Sequence, residues 1–401
     1  MTRVAVFFQR MGPYHVARLR AAAKKLNLFA YEIFHCDGTY DWDAMEHTAS
    51  CPRTTLFEHE DSKISMATMT RRVRELLNRD RPDVVAIPGW SKACGFAPLL
   101  WCAESGTPAI MMSDSNAFDS KRKSCRELVK RRLLRLCSAG MTSGTQGASY
   151  LRQLGLEQDR IFQGYDVVDN AHFSQGADAA RRQQATLRSK LQLPERYFLA
   201  SGRFVAKKNL LRLVDAYGQY KDKCQEKAWS LVLLGDGPSK TELVRLIQRR
   251  QLANHIHLVG FQQYDQLPQY YGLAECFVHA STTEQWGLVV NEALAARLPV
   301  VVSNRCGCAE DLVMSGKNGL TFDPYDVGDI CDKLCEITLA ADRAEMGRTS
   351  QEVISQWTLQ VFAENLERAV HAALDCRRRA APRLDRLMLA ALMRMQIAKD
   401  K

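Results

Sequence analysis

The sequence lacks any apolar run approaching the roughly 20 residues that a membrane-spanning helix needs. Its first residues, MTRVAVFF, have no long apolar stretch and no small-residue cleavage site, so they predict a buried strand rather than a signal peptide. CxxC pairs, the usual mark of a zinc site, are also absent, and the 13 cysteines are scattered along the chain. We therefore expect a cytoplasmic protein with reduced thiols.

Acidic residues are the scarcer charged type, since 45 Asp and Glu stand against 55 Lys and Arg, for a formal net charge of +10. Cations are concentrated in residues 121–135, where the one acid is Glu127, and the tail after Asp375 is basic again. Net charge constrains partners rather than fold. Nucleic acid, an anionic membrane surface and an anionic substrate are the candidates. Because no aromatic residues separate the cations of 121–135, we expect no nucleic-acid partner.

Short apolar runs alternate with amphipathic stretches along most of the chain. Apolar runs without polar alternation suit strands covered on both faces, and their alternation with helices indicates an α/β protein with parallel sheets. The pattern predicts strands at 4–8, 84–87, 109–112, 141–143, 197–201, 231–234, 256–259, 276–279 and 300–303, and helices that include 14–25, 65–77 and 122–136.

A polar stretch rich in Ala, Gln and Arg interrupts this pattern, and 401 residues exceed one ordinary core. We predict two doubly wound Rossmann-like domains facing a cleft, with ligands bound outside the carboxyl ends of the strands. The predicted segments are an N-terminal domain at 1–168, a linker at 169–195, a second domain at 196–355, and C-terminal helices with a basic tail at 356–401.

The first chemical motif, SGRFVAKKN at residues 201–209, joins a predicted strand to a helix. Arg203 and Lys208 stand five residues apart beside a helix N-terminus, which attracts anions through its dipole and its free N–H groups. The two cations could clamp a diphosphate, and they could equally be solvated charges on a loop.

The second motif, LGDGP at residues 234–238, also lies between a strand and a helix. Gly235 and Gly237 permit a tight turn with close backbone approach, and Pro238 suits a first helical position. The pattern is not GxGxxG, because Pro238, Ser239 and Lys240 follow the second glycine. A dinucleotide-dependent oxidoreductase therefore loses its main support.

The third motif, EQWGLVVNE, contains two carboxylates separated by seven residues. Glu284 is expected in the loop after the strand at 276–279, and Glu292 in a helix that Gly287 opens. A carboxylate accepts two hydroxyl hydrogen bonds, which suits a sugar or a ribose. An exposed loop acid and a surface acid on a helix would explain the same spacing without a ligand.

These motifs continue through Val259-Gly260-Phe261, Gly307/Glu310 and Asn318-Gly319. Their order and spacing resemble the donor domain of family 4 (GT4) retaining glycosyltransferases, which have the GT-B fold. That family shows GRxxxxK, GxGP, E-x7-E and GGxxE in this order. Here Cys306 replaces a family glycine and Ala309 the usual proline.

The resemblance implies that Arg203, Lys208 and Glu284 are catalytic, with the two cations on the donor diphosphate and Glu284 on the donor sugar. It also implies a set of donor-binding residues, with Glu292 on the ribose hydroxyls. This set is Gly12, Gly235, Gly237, Phe261, Gly287, Leu288 and Glu292.

In the first domain the resemblance is looser. Gly12 and His15 lie in the loop after the first strand, where the family approaches donor phosphates and acceptor, and His15 could equally be a surface residue at a helix start. Many members carry a sugar-contacting histidine after the fourth strand. Here Met112-Ser113-Asp114-Ser115-Asn116 occupies that place, so Asp114 or Ser115 would take over the contact.

Asp41-Trp42-Asp43 is a DxD, the metal–nucleotide motif of the other glycosyltransferase fold. It is remote in sequence from the donor motifs. Arg203 and Lys208 would supply fixed cations to a leaving diphosphate, so we expect no metal and no other cofactor.

The resemblance implies a hexosyltransferase that moves a hexosyl unit from a UDP- or GDP-sugar to an acceptor hydroxyl with retention. The acceptor would be a saccharide or a lipid-linked saccharide in the assembly of a surface polysaccharide or glycolipid. A GT-B nucleotide-sugar epimerase is one alternative, and a non-catalytic protein that binds nucleotide sugar or membrane is another.

The basic segment 121–136 has a helical pattern with Cys125, Leu128, Val129 and Leu133 on one side. This pattern fits a helix whose apolar stripe faces the core, and it equally fits peripheral attachment to the inner face of the plasma membrane.

Overall fold

A computed structural model describes residues 1–36, 53–59, 64–90, 93–120, 122–376 and 383–397. The chain divides into two compact units. Unit 1 comprises Met1–Ala117, Lys121–Val167 and Leu359–Lys401, and unit 2 comprises Phe118–Ser120 and Val168–Thr358.

The described strands alternate with helices, as the sequence predicts. The strands are β1 (Arg3–Phe8), β2 (Asn27–Cys36), β3 (Arg53–His59), β4 (Val84–Pro88), β5 (Ala109–Met112), β6 (Ala139–Met141), β7 (Ile161–Phe162), β8 (Tyr197–Ser201), β9 (Ser230–Leu234), β10 (Ile256–Gly260), β11 (Cys276–His279), β12 (Val300–Ser303) and β13 (Gly319–Phe322).

The helices within the described residues cover both units. They are α1 (Pro13–Ala22), α2 (Met66–Asp80), α3 (Ala93–Ser105), α4 (Ser124–Leu134), α5 (Thr145–Gln153), α6 (Asn170–Arg182), α7 (Gln184–Leu191), α8 (Leu210–Cys224), α9 (Lys240–Arg249), α10 (Leu267–Leu273), α11 (Leu288–Ala295), α12 (Ala309–Leu312), α13 (Val327–Leu339), α14 (Arg343–Ile354), α15 (Leu359–Asp375) and α16 (Arg383–Ile397).

In unit 1 the described strands form one parallel sheet in the order β3-β2-β1-β4-β5-β6-β7. The strand order reverses between β1 and β4, which is the topological switch point of a doubly wound sheet. Val4, Ala5, Val6 and Phe7 of β1 are all fully buried, because helices cover both faces of such a sheet.

In unit 2 the described strands form a second parallel sheet in the order β10-β9-β8-β11-β12-β13. The switch point here lies between β8 and β11, whose residues Phe198 and Cys276 are paired. The predicted fold class, two doubly wound α/β domains, is confirmed.

Most strand predictions are correct within two residues, and those at 109–112, 197–201, 276–279 and 300–303 coincide with the observed bounds. The strand predicted at 141–143 is displaced by two residues, because β6 is Ala139–Met141 and Thr142 and Ser143 form the buried loop that follows. Strands β2, β3, β7 and β13 were not predicted. Polar residues such as Glu32 interrupt the apolar pattern of β2, and β7 has only two residues.

The predicted linker at 169–195 contains α6 and α7, and it belongs to unit 2. Phe173, Ala177 and Ala180 form the buried face of α6. Two of these side chains are only methyl groups, so the apolar periodicity is weak in the sequence. At the other end, residues 359–401 belong to unit 1 rather than forming a separate segment. There α15 buries Phe362 and Leu366 and packs against α1 and β6.

Candidate functional site

A pocket in unit 2 lies at the carboxyl ends of β8 and β11, where ligands bind in doubly wound sheets. Its lining includes Arg203 and Lys208, the two predicted cations, together with His279 at the end of β11. The geometry therefore brings two predicted catalytic side chains to one cavity at the switch point.

The glycine turn after β9 packs directly on the loop that carries the cations. Gly235 and Gly237 have φ values of +130° and +153°, and a Cβ atom would lie 2.0 Å from the Gly202 carbonyl oxygen at the first and 2.6 Å from the Phe204 carbonyl oxygen at the second. The Phe204 N–H also donates to the Asp236 carbonyl at 2.8 Å. Only glycine fits at both positions, and the contact fixes the Arg203 loop.

Phe261 lies beside this turn. It follows β10 directly, and the Gly235 N–H donates to the carbonyl of Gly260 at 2.9 Å.

Lys208 ends a single 3-10 turn, Ala206–Lys208, and the next residue is the buried Asn209. The Asn209 amide donates to the carbonyls of Ala280 at 3.1 Å and Pro324 at 2.8 Å, which anchors the turn on the loops after β11 and β13.

The carboxylate of Glu284 contacts Lys208 and His279 of the pocket lining and has four polar neighbours. Lys208 Nζ forms an ion pair with Oε2, Ser281 Oγ donates to Oε2 at 3.2 Å, and His279 Nε2 lies 3.5 Å from it. Lys207 Nζ is 3.7 Å from Oε1. The Glu284 side chain is only 12% exposed and that of Lys208 16%. Glu284 is therefore not an exposed loop acid, and Lys208 is not a solvated charge on a loop.

Burial alone would raise the pKa of Glu284, but the hydrogen bond from His279 and the charge of Lys208 outweigh it and hold this pKa far below its ordinary value. For His279, burial and the neighbouring charge of Lys208 lower the pKa. The pocket at neutral pH therefore contains an ionised carboxylate beside a neutral imidazole.

The loop after β12 supports the Glu284 loop through its backbone. The Gly307 N–H donates to the Glu284 carbonyl at 3.0 Å, and the Cys308 N–H donates to the Trp286 carbonyl at 3.1 Å. Cys306, which occupies a family glycine position, forms an isolated parallel bridge with Glu284. Burial raises the pKa of both thiols, so Cys306 and Cys308 are neutral packing groups here.

Glu292 lies inside α11 and is 1% exposed, so the alternative that it is a surface acid is wrong. Burial, followed by the charge of Glu292, raises the pKa of Tyr271 well above its ordinary value. Gly287 has a φ of +113° and precedes Leu288, the first residue of α11, so the predicted glycine opening of this helix is correct.

Four predicted residues belong to unit 1. The Gly12 N–H donates to His15 Nδ1 at 3.2 Å at the start of α1, and the His15 ring contacts Phe8 edge-on. Burial, and then the charge of Arg18, lower the pKa of His15 well below its ordinary value. Asp114 and Ser115 follow β5 directly, at the carboxyl edge of the unit 1 sheet.

Sequence reasoning missed three polar groups beside these residues. His279 and Ser281 contact Glu284, and the one available signal was the histidine that ends the otherwise apolar strand CFVH. Glu32, fully buried on β2, accepts the Met11 N–H at 2.6 Å and the Thr55 hydroxyl at 3.0 Å. Its signal was a single acid within the apolar run NLFAYEIFHC.

The DxD at Asp41-Trp42-Asp43 lies outside the described residues. Within the described part of the chain, no group of three or more His, Cys, Asp or Glu side chains is placed to hold a metal ion. The helices described here include none with the length and apolar character to cross a membrane.

The family model for glycosyl transferases group 1 matches residues 183–352. An alpha-monoglucosyldiacylglycerol synthase of Acholeplasma laidlawii is 33% identical over 143 residues, which is 35% of each chain. A GDP-mannose-dependent alpha-(1-6)-phosphatidylinositol monomannoside mannosyltransferase of Mycobacterium tuberculosis is 32% identical over 193 residues, 46% of this chain and 49% of the relative. The matched segments thus span between a third and a half of these relatives.

Solved structures match over nearly the whole chain. A glycosyltransferase from Rickettsia africae has a TM-score of 0.72 at 12% identity, covering 94% of this chain and 99% of its own. Anabaena HepE in complex with UDP has a TM-score of 0.71 at 16% identity, covering 92% and 98%. At such identities the likeness establishes the fold, which is GT-B. Within this fold, residues 183–352 are similar to the group 1 family of glycosyltransferases.

Proposed function

We propose that the protein is a retaining hexosyltransferase that uses a UDP- or GDP-sugar and acts on a lipid-linked acceptor hydroxyl in glycolipid or surface-polysaccharide assembly. The observation that carries this proposal is the pocket at the switch point of unit 2, which Arg203 and Lys208 line and where Lys208 forms an ion pair with the ionised carboxylate of Glu284. Fixed cations beside a carboxylate match the two ends of a sugar diphosphate.

In the proposed reaction, negative charge builds on the leaving diphosphate as the sugar acquires oxocarbenium character. Arg203 and Lys208 would stabilise that charge without metal, because their positions are fixed before the reaction. The Lys208 ammonium has three N–H donors, so it can bind a phosphate oxygen while one donor still binds Glu284. Glu284 would accept hydrogen bonds from donor-sugar hydroxyls, and Glu292 from the ribose.

The names of the relatives favour a lipid acceptor, since one is a monoglucosyldiacylglycerol synthase and another a phosphatidylinositol monomannoside mannosyltransferase. UDP and GDP both remain candidate nucleotides, because one fold neighbour is a complex with UDP and one relative is named as GDP-mannose-dependent.

We further propose that the basic face of α4 attaches the protein to an anionic membrane surface. The predicted core-facing stripe is only partly present, because Leu133 is buried whereas Leu128 is 57% exposed and Cys125 is exposed. Glu127 pairs with Lys130 and Arg122, and Asp385 with Arg132. Four exposed cations in and beside α4 form no ion pair with the described residues of unit 1. They are Lys123, Arg126, Arg131 and Arg135.

Helix α16 extends this apolar and basic surface. The ion pair between Arg132 and Asp385, at 2.9 Å, links α4 to α16, where Leu384 and Leu387 are 62% and 68% exposed. Each cation near an anionic bilayer contributes about 1 kcal/mol, and exposed leucines add apolar contact. Attachment would hold the enzyme in the plane that contains a lipid acceptor.

Transfer to a lipid acceptor can be tested by incubating the purified protein with UDP- and GDP-hexoses and with vesicles. The vesicles would contain diacylglycerol, glycosylated diacylglycerol or phosphatidylinositol. We expect a glycolipid with retained anomeric configuration and nucleotide release that depends on acceptor. A modified nucleotide sugar formed without acceptor would instead establish the epimerase. Nucleotide-sugar binding with no product from any acceptor would favour a binding protein.

A further inference from the structure

His279 is not among the residues that the sequence predicted to belong to the site. It is the last residue of β11, it is 3% exposed, and it lines the same pocket as Arg203 and Lys208. Its Nε2 atom lies 3.2 Å from Ser281 Oγ and 3.5 Å from Glu284 Oε2. The imidazole therefore points at the carboxylate and not at the apolar core on the other face of the strand.

The hydrogen-bond geometry determines which ring nitrogen carries the proton. The Ser281 hydroxyl donates its one hydrogen to Glu284 Oε2 at 3.2 Å, so that hydrogen is not available to His279. An ionised carboxylate oxygen only accepts. A lone pair on Nε2 would therefore face two oxygen lone pairs, whereas a hydrogen on Nε2 can be donated to Ser281 Oγ at 3.2 Å, with Glu284 Oε2 at 3.5 Å from the same nitrogen.

The surrounding charges keep the ring neutral. Burial, and then the charge of Lys208, lower the pKa of His279, and the hydrogen bond and charge of Glu284 oppose this without cancelling it. The charge of Lys207, whose nitrogen is also near Glu284, lowers the pKa of His279 as well. Gly287 borders the ring as well, because a Cβ built on that residue would lie 3.8 Å from His279 Nε2.

We propose that His279, as the neutral Nε2-protonated tautomer, is a positioning residue that acts with Ser281 to orient the Glu284 carboxylate, and through it the ammonium of Lys208. This inference rests on the proposed function, since it assigns Glu284 and Lys208 to the donor. Without the two neutral donors, the carboxylate would lose two partners whose side chains are short and buried, and its ion pairs are with flexible lysine side chains. Without the contacts from Ser281 and His279, the Glu284 carboxylate would move with the lysine side chains. The Lys208 ammonium would then no longer be fixed in the pocket.

The first test is a double-mutant cycle on kcat/KM for the donor sugar. His279→Leu should lower kcat/KM by about 10-fold, the scale of a lost hydrogen bond to a charged group. In a Glu284→Gln background the same substitution should have almost no further effect, because its target is gone. Equal losses in both backgrounds would overturn the proposal and assign His279 to packing.

Two amide substitutions at position 279 test whether the hydrogen-bond donor must lie at the position of Nε2. The Gln amide nitrogen at position 279 can occupy the place of Nε2, whereas the shorter Asn amide corresponds to Nδ1 and does not reach Glu284. His279→Gln should therefore recover most of the activity lost in His279→Leu, and His279→Asn should not. Equal activity of the two amides would contradict the proposal. His371→Gln on the exposed surface of α15 serves as the control substitution.

A spectroscopic readout separates this proposal from the proposed function. Side-chain nitrogen NMR of the wild-type protein should show His279, assigned by its absence in His279→Gln, as the neutral Nε2-protonated tautomer at pH 7. Glu284→Gln should shift its Nε2 signal. A Nδ1-protonated ring, or a charged ring at pH 7, would overturn the inference even if the enzyme is active. If no donor is turned over, the proposed function fails, and the NMR result still decides the role of His279.

Discussion

The ammonium of Lys208 is ion-paired with the carboxylate of Glu284, a residue 76 positions later in the chain, although the first follows β8 and the second follows β11. The doubly wound topology creates this pair, because β8 and β11 are neighbours at the switch point of the unit 2 sheet. In this pair the cation and the carboxylate satisfy each other. Donor binding would then place phosphate and sugar hydroxyls on groups that are already oriented.

Replacing Lys208 tests the cation directly. Lys208→Ala should lower turnover by about 10²-fold or more, because it removes a preorganised positive charge from the leaving diphosphate. The fold should persist, but the thermal midpoint should fall, because the mostly buried carboxylate of Glu284 loses its ion-pair partner. Steady-state kinetics with near-normal values would refute the assignment. Lys207→Ala is the matched control, because its side chain is 51% exposed and its nitrogen is farther from Glu284.

The two glutamates should separate in binding experiments. Glu292→Gln should weaken free nucleotide and nucleotide sugar alike, because Glu292 is assigned to the ribose. Glu284→Gln should weaken the intact donor more than free nucleotide, because it is assigned to the sugar. Calorimetry with UDP, GDP and their hexose derivatives measures both. The opposite ordering would mean that the two roles are exchanged.

The motifs could be found in the sequence because each is local. The glycine turn at Gly235 and the cation pair of Arg203 and Lys208 lie within a few residues at strand ends, so local pattern and spacing determine their place. Contacts between distant segments were not accessible in this way. The approach of Gly235 to the Gly202 carbonyl, and that of His279 to Glu284, depend on which strands are neighbours and on side-chain direction.

The missed elements have a related physical cause. Helix α6 buries mostly methyl-sized side chains, so a segment with a real core face has a polar composition. Strand β2 contains Glu32, whose burial is compensated by hydrogen bonds from Met11 and Thr55 and by Arg53, whose Nε lies 3.7 Å from its carboxylate. Tertiary partners of this kind reverse the usual meaning of a polar residue, and no window of local sequence contains them.

The stability of the protein should fall as the pH drops below neutrality. The pKa values of His15, His255, His257 and His279 are all lowered in the folded state, mainly by burial. Below the unfolded value of about 6.5, the unfolded chain binds more protons than the folded one, so the free energy of unfolding decreases on acidification. Denaturant unfolding at pH 7.5 and 5.5 measures this loss.

A single substitution assigns part of this pH dependence. His15→Asn retains an acceptor for the Gly12 N–H but removes the titrating ring, so the difference in unfolding free energy between the two pH values should become smaller. An unaltered pH dependence in His15→Asn would show that this ring titrates alike in both states.

Transfer activity should survive treatment with EDTA. The physical reason is that Arg203 and Lys208 provide positive charge to the diphosphate, which Mg²⁺ or Mn²⁺ provides in metal-dependent enzymes. As a matched variant, Asp41→Asn/Asp43→Asn should retain activity if the DxD has no role with metal. Complete loss of activity with EDTA, restored by Mg²⁺ or Mn²⁺, would refute the prediction and direct attention to these two aspartates.

Attachment to vesicles should require anionic lipid and should weaken with salt. The exposed cations of α4 interact with surface charge over a Debye length of about 8 Å at physiological ionic strength, so high salt should release much of the bound protein. Arg126→Gln/Arg131→Gln should lower binding to phosphatidylglycerol vesicles. Arg249→Gln/Lys317→Gln, which removes two exposed cations from unit 2, should not.

The leucines of α16 should act differently from the cations. Leu384→Ser/Leu387→Ser should lower the fraction that remains bound at high salt, because apolar contact is not screened. Sedimentation with neutral and anionic vesicles at two salt concentrations separates the two contributions. Equal binding to neutral and anionic vesicles, or binding to neither, would make α4 an ordinary solvated surface. A soluble acceptor would then be favoured over a lipid-linked one, because nothing would hold the enzyme at the membrane where a lipid acceptor is confined.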